Sequence, residues 1–362
     1  MSNPRVFYPD VTVRARSQRI GVIGSGMIMS EVQLAAYAEA GFDVVGIASR
    51  TPAHAEVVAR RYGIPTVHLT PQELIEDERV QILDIAFPPD QQPALIRNAL
   101  GQSHIKGILA QKPLALSLAE AIKLRDEASA AGKTLSVNQN MRYDQSIRVL
   151  SQILQGGELG TPVIATIDMR AIPHWQGFLS EYDRLTLANM SVHHLDVLRF
   201  LFGEPTEIYT AARTDPRTKF EHVDGIVAST LRFPDGMLVV SLEDVWTGPR
   251  EAGFDSDSYI KWRVEGTRGV AQGTVGWATG VPSTLTYASS LTTDGKWVTP
   301  TWKTRWFPHA FIGVMEQLQY AIEAGTAPDL TVADNVKTMA LVEAGYLSIA
   351  ENRPVRMSEF PV

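Results

Sequence analysis

Two short stretches of the sequence carry residue types suited to moving a proton from a hydroxyl while negative charge develops on its oxygen. They are Gln111-Lys112-Pro113 and Asn189-Met190-Ser191-Val192-His193-His194. A lysine at a strand end can donate to an oxygen and stabilise charge that develops there. Pro113 biases Lys112 toward extended backbone and keeps it out of a helix, so its side chain faces the crevice over the strand ends. On residue type alone, Lys112 also suits a solvent-facing cation. Asn189 and His193 stand one helical turn apart and share a helix face. An ordinary imidazole titrates near about 6.5, so His193 would be a competent neutral base at mildly alkaline pH. It also suits a hydrogen-bonded core histidine. Paired imidazoles raise the question of a metal, but no third ligand stands at the required spacing and no H-E-x-x-H pattern occurs; no metal is expected.

A second signal lies near the N-terminus, where Ile20-Gly21-Val22-Ile23 runs into Gly24-Ser25-Gly26-Met27-Ile28-Met29. This is a G-x-G-x-x-M form of the dinucleotide fingerprint. Gly24 permits the tight turn, and Gly26 lets the backbone approach a pyrophosphate held at the N-terminus of the next helix. Met29 replaces the third glycine, so the helix is expected to tilt or shift. The second strand ends in Ala48-Ser49-Arg50-Thr51 without a carboxylate. Ser49 and Arg50 could therefore hold a 2′-phosphate and permit NADP, or Arg50 could be a solvated loop cation beside NAD. The expected cofactor contacts are Gly24, Gly26, Met27, Ile28, Ser49, Arg50, Phe87, Pro88, Gln92, Gln111, Lys112 and Asn140.

The elements that must position these residues are legible in outline. Strands are expected at Arg19–Ile23, Asp43–Ala48, Ile82–Ala86, Gly107–Ala110 and Thr134–Val137. Helical periodicity over Glu31–Ala40, Ala53–Tyr62, Gln91–Leu100 and Leu118–Ala131 separates them, the pattern of a parallel βαβ sheet. From Met141 the character changes. All seven Trp fall between Trp175 and Trp306, and Thr206–Arg213, Gly225–Phe233, Met237–Val245 and Tyr259–Val264 read as successive antiparallel strands. Phe311–Ala324 and Asn335–Glu351 read as closing helices. The expected class is α/β: an N-terminal arm (1–18), a Rossmann domain (19–140) and a C-terminal α/β domain with a large, mostly antiparallel open sheet (141–362). Trp175, beside His174, is a candidate sugar contact because a sugar ring stacks well on an aromatic face; Arg142 and Tyr143 are further candidates for the same pocket, with Lys112, Asn189 and His193.

Composition narrows the function classes. The 362 residues are 44% hydrophobic, with 33 Lys and Arg against 40 Asp and Glu and a net charge of −7. That suits well-cored domains and offers no electrostatic footprint for nucleic acid or a membrane surface. Zero Cys removes disulfides, thiolate nucleophiles and iron–sulfur ligands and fits a cytoplasmic protein. The N-terminus lacks the apolar core of a secretory signal, and no stretch supplies the roughly 20 apolar residues of a membrane span. No tyrosine has a lysine four residues on, and neither a G-x-S-x-G elbow nor a Walker lysine occurs.

Gly24-x-Gly26, Gln111-Lys112-Pro113, Asn140-Met141-Arg142-Tyr143 and His193-His194-Leu195-Asp196, standing in that order, resemble the glucose–fructose oxidoreductase / inositol dehydrogenase family (Gfo/Idh/MocA). The resemblance runs from Arg19 to Phe360. It implies oxidation or reduction of sugars and cyclitols with NAD(P), a catalytic Lys112, and His193 as acid/base with Asn189 orienting the substrate or His193. It also implies a homodimer or homotetramer formed through the C-terminal sheet. Gln111 stands where the family has Glu, Asn189 for Asp, Ser191 for Gly and Pro93 where many members carry His. Within the family the chain looks most like bacterial aldose dehydrogenases that oxidise an anomeric hydroxyl to a lactone with NAD, the D-apiose dehydrogenases among them. The resemblance thus favours NAD, whereas Ser49 and Arg50 permit NADP. The fold also admits an NAD-dependent glycoside hydrolase or a non-catalytic dinucleotide-sensing regulator.

Overall fold

A computed structural model describes residues 6–170, 177–244, 258–276 and 280–362 of the chain. Among these residues the chain forms two compact units. The first comprises Val11–Asn140 and Phe307–Met339; the second comprises residues 6–10, the described parts of Met141–Trp306, and Ala340–Pro361.

The first unit is built on six parallel strands: β1 (Ile20–Ile23), β2 (Val44–Ala48), β3 (Val67–His68), β4 (Ile82–Ile85), β5 (Gly107–Ala110) and β6 (Thr134–Val137), in the spatial order β3-β2-β1-β4-β5-β6. That is the doubly wound order, with its switch point between β1 and β4. β1, β4 and β5 are buried at every position, as a sheet covered on both faces requires, and hence read as nearly unbroken apolar runs. Local chemistry starts the connecting helices. α1 is Leu34–Ala40, and α2 (Pro52–Tyr62) and α3 (Pro71–Glu76) open on proline, which lacks the N–H a first turn leaves unbonded. α4 is Gln92–Leu100, and at α5 (Leu118–Ala130) the Ser117 hydroxyl accepts the Glu120 N–H at 3.3 Å, a cap worth about 1 kcal/mol. The short β3 and α3 carry too few residues to show a period and escape a sequence reading.

The second unit holds α6 (Gln145–Gln155), α7 (Val192–Phe202) and an eight-stranded sheet of β7 (Pro162–Arg170), β8 (Glu207–Arg213), β9 (Ile226–Arg232), β10 (Leu238–Asp244), β11 (Tyr259–Gly266), β12 (Gly269–Val275), β13 (Thr284–Ser289) and β14 (Val355–Arg356). Its order is β13-β12-β11-β7-β10-β9-β8-β14, and every pairing is antiparallel except β7 with β10. Alternation along the strands is regular: Val227, Ser229 and Leu231 are buried while Ala228, Thr230 and Arg232 are exposed. Asp144 caps α6, its Oδ1 accepting the Ser146 and Ile147 N–H groups at 2.9 and 3.3 Å.

The closing helices differ from the sequence expectation. α8 (Ala310–Ala324) packs on β5 and β6 of the first unit, and α9 (Val332–Glu351) supplies residues to both units. The reason lies in Gly107. A Cβ there would stand 2.6 Å from Ile322 Cδ1 and 3.2 Å from Leu318 Cδ1, so its absence lets α8 lie directly on the sheet. Val332, Val336 and Met339 join the same apolar core as Ile23, Leu83 and Ile108. Amphipathic periodicity states that a helix has a buried face but not which sheet covers it.

Candidate active site

The candidate dinucleotide site lies at the carboxyl ends of the parallel strands of the first unit. Directly after β1, Gly24 adopts φ +120°, and its N–H donates to Ala48 O at 2.8 Å. A Cβ on Gly24 would stand 2.6 Å from the Ala86 carbonyl oxygen, so the turn between two neighbouring strand ends requires glycine. Gly26 is different: a Cβ there would meet no protein atom within 4 Å. The fold does not need this glycine, whereas close approach of a pyrophosphate to the backbone does. The residues present therefore fit a dinucleotide. Met27 is exposed and Ile28 half-buried. The helix starts as a wide π turn over Ile28–Gln33, with Met29 fully buried in it. At the end of β2, Ser49 Oγ and Ser25 Oγ are 2.7 Å apart, and the exposed Arg50 guanidinium lies 6.0 Å from the Phe87 ring. Pro88 follows, half-buried.

The lysine turn is held from beneath. Gln92 is fully buried, and its amide nitrogen donates to Gln111 O, Pro113 O and Leu114 O at 2.9, 2.8 and 2.9 Å while its oxygen accepts the Gln111 N–H at 3.0 Å. This corrects the expectation that Gln92 contacts the cofactor: its polar atoms are committed to the backbone on either side of Lys112. The Lys112–Pro113 peptide is cis. Desolvation lowers the Lys112 ammonium from the ordinary 10.5 to about 7. Beyond β6, Asn140 Nδ2 donates to Asn138 Oδ1 at 3.2 Å.

The second unit carries the histidine. A wide turn, Leu187–Ser191, leads into α7, with Asn189, Ser191 and His193 all buried. Its start is fixed by Asp224, whose carboxylate accepts the Leu185 and Leu187 N–H groups at 2.7 and 2.6 Å and the Tyr346 hydroxyl at 2.8 Å. Burial pushes this carboxyl up to about 6. The His193 ring stands edge-on to Trp306 with centroids 6.3 Å apart. The neighbouring imidazole is held otherwise: His194 Nδ1 lies 2.8 Å from Glu243 Oε1, which also accepts the Ser241 hydroxyl at 2.6 Å.

Arg142, expected as a sugar contact, makes a two-point ion pair with Asp196, Nε to Oδ2 at 2.5 Å and Nη2 to Oδ1 at 2.7 Å. A buried arginine needs such a partner, and here the pair ties the turn after Asn140 to α7. Tyr143 is buried beside Arg148. His174 and Trp175 lie outside the described residues. Motif and spacing do not point to Gln33, Asp84, Asp224, Glu243 or Trp306. A carboxylate within the apolar run of β4 is the one available signal, because such a group is buried only with partners. Among the described residues, no group of three or more His, Asp or Glu could hold a metal ion, and no helix is long and apolar enough to cross a membrane.

Comparison with known proteins agrees with this geometry. Residues 18–139 match the model of an oxidoreductase family with an NAD-binding Rossmann fold, and residues 147–272 match the GFO/IDH/MocA C-terminal domain. A D-apiose dehydrogenase of Rhizobium rhizogenes is 25% identical over 87% of this chain and 90% of its own length. A D-xylose 1-dehydrogenase (NADP+) of Haloferax volcanii is 24% identical over 93% and 99%. The crystal structure of an Agrobacterium radiobacter oxidoreductase in complex with NAD+, L-tartaric acid and magnesium superposes with a TM-score of 0.80 at 23% identity, covering 95% of this chain and 99% of that one. With both of its halves matched, the chain belongs to the Gfo/Idh/MocA oxidoreductase family and is an NAD(P)-dependent dehydrogenase.

Proposed function

We propose that the protein is an aldose 1-dehydrogenase that oxidises the anomeric hydroxyl of an aldose such as D-apiose to a lactone. The observation that carries the reading is Lys112: a lysine desolvated to about 7 and clamped at the end of β5, on the sheet edge that carries the glycine turn. A dinucleotide-binding protein without turnover has no need of such a group. The sequence similarity to D-apiose dehydrogenases supports the choice of sugar.

Gly24, Gly26, Ser49, Arg50 and Phe87 hold the dinucleotide, whose nicotinamide when bound supplies the hydride acceptor. His193 takes the proton of the sugar hydroxyl. Lys112 donates to that oxygen and stabilises the charge on it, and Asn189 orients the sugar or the imidazole through its amide. The carbon loses one hydride and the oxygen one proton, which leaves a lactone carbonyl. NAD is the preferred dinucleotide on resemblance, with Ser49 and Arg50 as the residues that admit NADP. The enzyme works in the cytoplasm as a homodimer or homotetramer. Ile164, Tyr209, Leu238 and Val240, exposed on the outer side of the eight-stranded sheet, form the face that a second copy covers.

The test mixes the protein with NAD or NADP and a panel of aldoses and cyclitols, D-apiose included, and follows absorbance of the reduced nicotinamide. Turnover of one aldose with lactone as product is expected. Silence across the panel while dinucleotide still raises the melting temperature overturns the reading.

A further inference from the structure

Asp84 sits at the third position of β4 with no exposure to solvent, and the proposed reaction does not use it. Its Oδ2 accepts two hydrogen bonds of 2.6 Å, one from Gln33 Nε2 and one from the Tyr37 hydroxyl. Gln33, also without exposure, accepts at its Oε1 a 2.9 Å hydrogen bond from Gln111 Nε2. The three groups form a chain with a direction. An ionised carboxylate only accepts, so Gln33 must turn its amide nitrogen to Asp84 and its oxygen to Gln111. Gln111 must then turn its own nitrogen to Gln33, which leaves its Oε1 as the group presented at the end of β5 beside Lys112. Gln92 already fixes the Gln111 backbone, and the bond to Gln33 holds its amide.

We propose that Asp84 is a positioning residue that acts through Gln33 to lock Gln111 with its carbonyl oxygen outward, as the acceptor for a hydrogen-bond donor on the nicotinamide half of the bound dinucleotide. The proposal rests on the dinucleotide-dependent reading above. The half follows from the topology, because β4 to β6 form the second mononucleotide-binding half of the sheet. The donor is the carboxamide NH2 or a ribose hydroxyl. The same chain accounts for the departure at position 111. A glutamate there would present only acceptors to Gln33, Gln33 would have to flip, and its oxygen would then face the Asp84 carboxylate. Gln111 and the ionised Asp84 are therefore a matched pair, and a carboxylate at 111 requires a donor at 84, either an amide or a protonated carboxyl.

That reversal is the test, made at pH 8, above the value of about 7 to which burial pushes Asp84. Three variants are compared with the parent: Asp84→Asn, Gln111→Glu and the double variant. Without dinucleotide, Gln111→Glu should lower the melting temperature. Adding Asp84→Asn should restore about 3 °C or more of it, because the amide introduced at position 84 donates to Gln33, Gln33 donates to the carboxylate introduced at position 111, and the chain runs satisfied in the opposite sense. With dinucleotide, Asp84→Asn alone should raise the Kd of NAD about five- to tenfold by freeing the amides to flip, and the double variant should bring it back. A parallel titration with the 3-acetylpyridine analogue, which has no carboxamide NH2, identifies the donor. If Asp84→Asn weakens NAD but not the analogue, the donor is the carboxamide; equal weakening of both assigns the ribose hydroxyl. Additive melting shifts, or a Kd unchanged by Asp84→Asn, overturn the proposal. Failure of the parent protein to bind either dinucleotide would instead overturn the dinucleotide-dependent reading, and the melting cycle would still report on the chain.

Discussion

The glycine turn and Lys112 in the first unit and His193 in the second are held by different physics. Around Gly24 and Lys112 the framework is backbone: strand ends, a turn that only glycine can make, and a buried amide clasping the carbonyls of residues 111, 113 and 114. Around His193 the framework is charged and polar side chains. Arg142 pairs with Asp196, His194 with Glu243, and Asp224 binds the turn that leads into α7. The glycine and the proline that mark these turns act on the backbone within a few residues of themselves. The Arg142–Asp196 ion pair and the His194–Glu243 hydrogen bond join residues 54 and 49 positions apart and exist only once the fold has formed.

The largest expected effect lies in the backbone-framed region and separates chemistry from stability. Lys112→Met should lower turnover on the order of 10³-fold in steady-state assays, with dinucleotide affinity largely kept. The same substitution should stabilise the fold near neutral pH. With its value depressed to about 7 against 10.5, the unfolded chain binds more protons than the native one between those limits, so the stability of the parent rises with pH through that window. The melting advantage of Lys112→Met should therefore be greatest at pH 6 and shrink by pH 10. An advantage independent of pH would show that Lys112 is not desolvated.

In the charge-framed region, Arg142→Ala should cost about 3–5 kcal/mol in urea unfolding, because it strands the buried Asp196 carboxylate. Replacing both partners with Met and Leu should recover most of that loss. An Arg142→Ala protein of parental stability that has lost only its sugar KM would return Arg142 to the substrate pocket.

The two glycines sharpen the contrast further. Gly26→Ala should leave the melting temperature within about 1–2 °C and raise the dinucleotide Kd about tenfold, since its Cβ meets only space the ligand needs. Gly24→Ala should destabilise the protein with or without ligand, because its Cβ strikes the Ala86 carbonyl. The smallest effect is expected at Arg50. Arg50→Ala should lower any NADP use about threefold to tenfold and leave NAD affinity unchanged, as titrations of both dinucleotides would show.

What can be read from the chain follows the same division. β5 and β6 match the sequence expectation residue for residue, because short apolar runs stand out between helical periods. Lys112 and the glycine turn are legible because proline and glycine act within a few residues of themselves. His193 is legible as a motif, but nothing along the chain signals that Arg142 closes onto Asp196, nor that Gln111 continues through Gln33 to Asp84. The pairing of β7 with β10 in parallel is equally hidden, since period-two alternation is the same for either direction.

Sequence by itself therefore determined the doubly wound sheet, the dinucleotide turn and the candidates for proton transfer, all of which leave a periodic or motif signal among neighbours along the chain. Only the tertiary structure decided which charges pair, which sheet α8 covers and how the Gln111 amide is oriented. Those outcomes depend on desolvation, which strengthens the interaction between two groups only after folding has brought them together and excluded water.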